Sequence, residues 1–204
     1  MSSGSIVAAL AATLVLASCQ HYEKQEDGSA QPGQPASQSA APASAPAQSP
    51  VERGRYLVTI AGCHDCHTPM KMGAMGPEPD FSQMLSGHPE SVVLPPPPKL
   101  PPGPWMITAF PLTAWSGPWG ITYATNLTPD SLSGLGIWTE EMFIGALRTG
   151  KHMGTSRPIL PPMPWQFFVT MPNEDLSAIY AFLRSIPPIR NTIPDPVIAE
   201  PPKE

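Results

Sequence analysis

Cys63-His64-Asp65-Cys66-His67 decides how this chain is read. Two thiols and an imidazole at C-x-x-C-H spacing form a covalent haem attachment motif. Each thiol at that spacing reaches one vinyl group of a single ring. The adjoining His67 then meets the iron from the same side as its proximal axial ligand. Locking the ring through the chain lets a small protein hold haem without a large pocket. A zinc half-site and a thioredoxin-like dithiol use similar residues. Zinc would need two further ligands, and the chain has no second C-x-x-C and no H-x-x-x-H. No βαβ pattern surrounds the motif, as a redox dithiol would want. Haem, one per chain, is the expectation.

Working outward, a third cysteine needs an explanation, because an odd count is unusual in an exported protein. Cys19 closes Leu16-Ala17-Ser18-Cys19, directly after an apolar run from Ile6 to Ala17. That run suits the core of a signal peptide and is shorter than the roughly 20 residues a membrane-spanning helix needs. The ending resembles a bacterial lipobox, in which the cysteine takes a diacylglycerol. Residues 1–18 then form the signal, and Cys19 anchors an exported, periplasmic protein to a membrane. Met1 to Ser5 lack the usual Lys or Arg. Gln20 after the cysteine leans toward the outer membrane. One thiol carries lipid and two carry haem, so no disulfide is expected.

From about Gly28 to Pro50 the chain is Ala, Pro, Ser, Gln and Gly, without charges or large apolar residues. That composition cannot build a core, so residues 19–50 read as a lipidated N-terminus and disordered tether. A folded domain is expected over residues 51–193, with a Pro-rich tail at 194–204. Three helices are predicted within it. Val51 to Ala61 carries Tyr56, Leu57 and Ile60 as its apolar stripe. Trp138 to Arg148 is capped by Thr139 and ended by Gly150, with Met142, Phe143, Ala146 and Leu147 inward. Asn173 to Ile186 has Asn173 as cap and Leu176, Ile179, Tyr180 and Leu183 as stripe. Between Met70 and Thr128 the many Pro and Gly residues argue against regular structure, apart from one short hairpin within Trp105 to Thr125.

An electron-transfer haem takes a second axial ligand, and a soft thioether suits it. Ten methionines compete. Met163, in Ile159-Leu160-Pro161-Pro162-Met163-Pro164-Trp165, is the leading distal axial candidate. Prolines on both sides stiffen its loop, which falls between the second and third helices. Met153, Met171 and the group Met70, Met72 and Met75 are weaker candidates, as are His88 and His152. Arg148, Lys151 and Arg157 suit haem propionates, and Trp165 and Trp119 suit packing on a ring. The formal net charge of −5 excludes only a strongly basic nucleic-acid binder.

Cys63 to His67, the Met-Pro-Trp of 163–165 and a closing amphipathic helix resemble a class I c-type cytochrome. Tyr123 to Asp130, Trp138 to Gly150 and Ile159 to Trp165 resemble, more narrowly, single-haem domains of bacterial dehydrogenase-associated cytochrome subunits. The resemblance spans Val51 to about Pro188. It implies an all-α, cytochrome c-like domain around one covalent haem c, here with a long Pro-rich insertion. It also implies first and last helices crossing closely, with Gly54 facing Tyr180 and its neighbours. Positions 67 and 163 lie 96 residues apart, farther than in small members. Such subunits often carry three haem motifs, and this chain has one. The function implied is one-electron transfer between a dehydrogenase and a respiratory acceptor such as an oxidase, with no catalysis by the chain itself. The alternative is a haem enzyme or sensor with an open distal site for peroxide or a diatomic gas.

Overall fold

A computed structural model describes residues 48–98, 103 and 105–199. Cys19, the signal peptide and the segment up to residue 47 lie outside the described residues. Four helices and six strands make up the described part: α1 Pro50–Ile60, α2 Cys63–His67, β1 Met70–Gly73, β2 Gly76–Pro79, β3 Ile107–Ala109, β4 Ala114–Gly117, β5 Gly120–Tyr123, α3 Glu140–Thr149, α4 Asn173–Ser185 and β6 Val197–Ile198.

Helix α1 starts with a capping box: Glu52 N donates to Ser49 Oγ, and Ser49 N donates back to the Glu52 carboxylate. Ser49 and Pro50, read from sequence as the end of a tether, therefore open the first helix. At 11 residues α1 would be marginal alone, since isolated helices shorter than about 12–15 residues rarely hold in water. Packing on α4 stabilises it. The buried face is Gly54, Leu57 and Val58, at i, i+3 and i+4. The expected stripe is corrected here: Tyr56 and Ile60 are exposed, and Val58 is fully buried.

Gly54 explains why the crossing is close. A Cβ on Gly54 would collide with the Ala178 carbonyl and lie 2.8 Å from Phe182 Cβ. Its partner is thus Ala178 and Phe182. Tyr180 lies on another face of α4, where its hydroxyl donates to the Trp138 carbonyl at 2.7 Å. Arg53 joins the same two helices through a forked pair to Asp175, at 2.9 and 3.1 Å. Leu57, Val58, Leu176, Ile179 and Leu183 form the centre of the core, and Phe143 and Leu147 of α3 extend it.

Helix α3 ends as expected, at Gly150 with φ 66, and Thr139 Oγ1 caps its start by accepting from Met142 N. Helix α4 departs from expectation at its start. Pro172 occupies the cap position, and Asn173 Oδ1 instead accepts from Arg148 at 2.7 Å.

The all-α expectation is overturned by two antiparallel sheets. One is the β1–β2 hairpin, pairing Met70 with Pro79 and Met72 with Pro77. The other has the order β3-β4-β5-β6. Its central hairpin closes at Gly117↔Gly120, and Val197–Ile198 of the expected tail adds the last strand against Ile121 and Gly120. The prolines that argued against order sit where a sheet tolerates them. Pro118 lies in a turn, and Pro77 and Pro79 lie in a hairpin whose two strands are both edges. Strands of two to four residues are also too short to display the alternation that reveals a strand in sequence.

Candidate haem-binding site

The motif helix α2 follows Gly62, whose φ of 69 turns the chain out of α1. Helical spacing does the next work. Cys63, Cys66 and His67 stand at i, i+3 and i+4, so both thiols and the imidazole share one face. Both cysteines are free and half-buried. Burial pushes the Cys63 thiol up to about 11, with Cys66 and Asp65 adding smaller effects. Burial, then Asp65, raises Cys66 as well. His64 and Asp65 point elsewhere: His64 Nδ1 meets Thr68 Oγ1 at 2.9 Å and its ring stands edge-on to Phe81, while Asp65 is exposed.

His67 is buried, and its Nδ1 lies 2.8 Å from the Thr125 carbonyl. A carbonyl only accepts, so Nδ1 carries the proton and Nε2 carries the lone pair. Desolvation by burial lowers the His67 pKa, which keeps the ring neutral and able to bind a metal. The donor set therefore fits haem: two thiols for covalent attachment and one imidazole nitrogen prepared for iron. It does not fit zinc, because no group of three or more His, Cys, Asp or Glu among the described residues is placed to hold an ion.

A strap, Leu85 to His88, ties His67 to the segment that supplies Thr125. Gly87 N donates to the His67 carbonyl at 2.8 Å, and His88 N donates to the Ala124 carbonyl at 3.0 Å. Leu85 N donates to Thr68 Oγ1 at 3.0 Å, and Leu127 N donates to the Leu85 carbonyl at 2.9 Å. At Gly87, φ is +80 and a Cβ would lie 2.7 Å from the Thr125 carbonyl carbon. Beside Thr125, Asn126 is buried; its Oδ1 accepts from Thr128 N and Oγ1, and its Nδ2 donates to the Ile189 carbonyl at 2.7 Å. Sequence reasoning gave Thr68 no role, named His88 of the strap only as a weaker ligand candidate, and touched Thr125 only as part of longer stretches, among them the family-like Tyr123 to Asp130.

Met163 is half-buried and packs against the same core cluster as Cys63. Ile159, Pro161, Pro162, Pro164, Trp165, Gln166 and Phe167 line a cavity of about 260 Å³ with it. Two anchors hold this loop: Ile159 N donates to the Gly150 carbonyl at 2.8 Å, and the Trp165 ring lies against Gly150.

Other sequence candidates are placed differently. The Arg148 guanidinium is spent on the chain, donating to the carbonyls of Phe168, Val169 and Met171 and to Asn173 Oδ1. Arg157 and Lys151 are exposed. Trp119 Nε1 donates to Thr122 Oγ1 at 2.9 Å within the β4–β5 hairpin. His88 has both ring nitrogens engaged, to Thr113 Oγ1 at 2.9 Å and the Val92 carbonyl at 3.0 Å, which removes it as a ligand. His152 packs edge-on against Trp138, with ring centroids 4.8 Å apart.

No family model matches the chain. Similar proteins do. The chain is 30% identical over 154 residues to the fructose dehydrogenase cytochrome subunit of Gluconobacter japonicus, covering 76% of this chain and 24% of that protein. It is 28% identical over 148 residues to the alcohol dehydrogenase (quinone) cytochrome c subunit of Gluconobacter oxydans, covering 71% and 24% respectively. Against the gluconate 2-dehydrogenase cytochrome c subunit of Pantoea cypripedii the identity is 27% over 140 residues, 68% of this chain and 24% of that one. The chain thus spans about a quarter of the length of these relatives. Its homologues are cytochrome c subunits of bacterial dehydrogenases, which supports a dehydrogenase-associated cytochrome c with covalently bound haem.

Proposed function

We propose that this protein is a monohaem class I c-type cytochrome that passes single electrons from a dehydrogenase to a respiratory acceptor. The observation that carries the reading is the placement of His67 Nδ1 against the Thr125 carbonyl, on the helical face that also presents Cys63 and Cys66. Haem, when bound, supplies one-electron ferric/ferrous chemistry. The residues supply everything else. Cys63 and Cys66 would hold the ring covalently through their sulfurs. His67 would hold the iron through Nε2, with Nδ1 engaged by the Thr125 carbonyl.

Met163 would supply a thioether to the iron, a role supported by its position between prolines in an anchored loop bordering the Cys63 core. Its neighbours in that cavity are apolar apart from Trp165 and Gln166, and none carries an acid–base side chain, which favours a carrier over a peroxide- or gas-handling enzyme. Trp165 would pack beside the ring, and exposed Arg157 would be available to a propionate. Cys19 anchors the exported domain to a membrane through lipid, and the Ala/Pro/Ser-rich segment ahead of Ser49 is its leash. The docking partners are redox proteins, a dehydrogenase on one side and an oxidase-type acceptor on the other.

The test is the optical spectrum and intact mass of the purified protein. One haem per chain and a six-coordinate low-spin ferric spectrum with a Met–iron charge-transfer band are expected. A high-spin spectrum that shifts with stoichiometric cyanide or CO would overturn the carrier reading.

A further inference from the structure

Asn191 lies far from the haem motif in sequence, beyond the last helix, yet it is buried at 4% exposure. Both amide hydrogens of its side chain are spent on the strap that supports His67. Nδ2 donates to the Ser86 carbonyl at 2.7 Å and the His88 carbonyl at 2.9 Å, while Oδ1 accepts from Glu90 N at 2.8 Å. Two donors and one acceptor in one short side chain describe an amide, and they fix which way it points. Asn191 N also donates to Ser133 Oγ at 2.9 Å, so the clamp is itself held.

The strap needs holding. Leu85, fully buried, sits at φ 60, a left-handed conformation that costs a non-glycine residue free energy and persists only where the surroundings impose it. Ser86 Oγ is buried with no hydrogen-bond partner among the described residues, so Ser86 is positioned through its backbone. Between the two clamped carbonyls, Gly87 N donates to the His67 carbonyl and His88 N to the carbonyl of Ala124, the residue before Thr125. The strap therefore spaces the His67 backbone from the Thr125 carbonyl.

We infer that Asn191 is a positioning residue that sets the haem reduction potential by clamping the strap behind the His67–Thr125 hydrogen bond. This rests on the proposed haem ligation by His67. A carbonyl accepting from Nδ1–H makes the imidazole a stronger donor and favours ferric iron. Releasing the clamp lets that bond lengthen, so the potential rises.

Asn191→Leu keeps the volume and removes every polar contact; Asn191→Asp keeps the acceptor and removes both donors. In the holo-protein each should shift the ferrous/ferric ratio at fixed poise about threefold to tenfold toward ferrous, about 30 to 60 mV at 59 mV per decade for one electron. Amide exchange at Gly87 and His88 should quicken at least about tenfold. Gly54→Ala, which disturbs the α1–α4 crossing, is the destabilised control and should leave the potential unmoved. A potential that stays put in both Asn191 variants, or moves equally in Gly54→Ala, overturns the inference. Should neither Asn191 variant fold, Ser133→Ala loosens the clamp more gently and is judged by the same two readouts. If the native protein lacks a low-spin His-ligated spectrum, the haem reading fails, and exchange at Gly87 and His88 still decides whether Asn191 clamps the strap.

Discussion

Arg148 on α3 donates to the carbonyl of Met171 at 2.6 Å, tying the helix to the end of the segment that follows Met163. The same guanidinium reaches the Phe168 and Val169 carbonyls and Asn173 Oδ1. A planar fork serves four oxygens at once, which an ammonium cannot. Arg148→Lys should therefore lower stability in denaturant by about 2 kcal/mol, the scale of one or two lost charged hydrogen bonds. An unchanged midpoint would show that water replaces these bonds at no cost.

Met163 and Met171 both border the core, and only Met163 sits in the proline-lined cavity. Met163→Ala should abolish the Met–iron charge-transfer band and lower the potential, because a thioether ligand favours ferrous iron. Met171→Ala should leave the band intact. The reverse pattern would move the ligand to Met171.

Gly54 is enclosed by Ala178 and Phe182. Gly54→Ala forces α1 away from α4 and should cost about 1–3 kcal/mol in chemical denaturation, the usual range for overpacking. Equal stability of the two proteins would mean that the crossing relaxes freely.

His88 is fully buried between Thr113 and the Val92 carbonyl, and desolvation lowers its pKa below the ordinary 6.5. The unfolded chain then binds more protons than the folded one below pH 6.5, so stability is present above that value and lost as pH falls toward the folded pKa. His88→Gln should flatten that loss, read as the slope of denaturation midpoint against pH between 6.5 and 5 at about 25 °C. An unchanged slope would assign the acid sensitivity to other groups.

Much of this was legible in local sequence, because local geometry carries it. Thr139 and Gly150 bound α3, and the stripe from Leu176 to Leu183 reports α4 directly. The α1 stripe was misread at Tyr56 and Ile60 because an 11-residue helix offers only two or three turns for periodicity. The right face was marked by Gly54, whose meaning depends on Ala178, over 120 residues away. The sheets were hidden for a different reason. Their strands run two to four residues, and their stability comes from partners as distant as Gly120 and Ile198.

The sequence by itself determined that Cys63, Cys66 and His67 share one face, since spacing on one helical turn brings those groups together whatever surrounds them. Tertiary structure alone decided which nitrogen of His67 is free, because that follows from a carbonyl 58 residues along, at Thr125. It also committed Arg148 to the chain and brought Asn191 behind the strap. Hydrogen bonds between distant backbone groups leave no periodicity and no motif, so only the folded chain displays them.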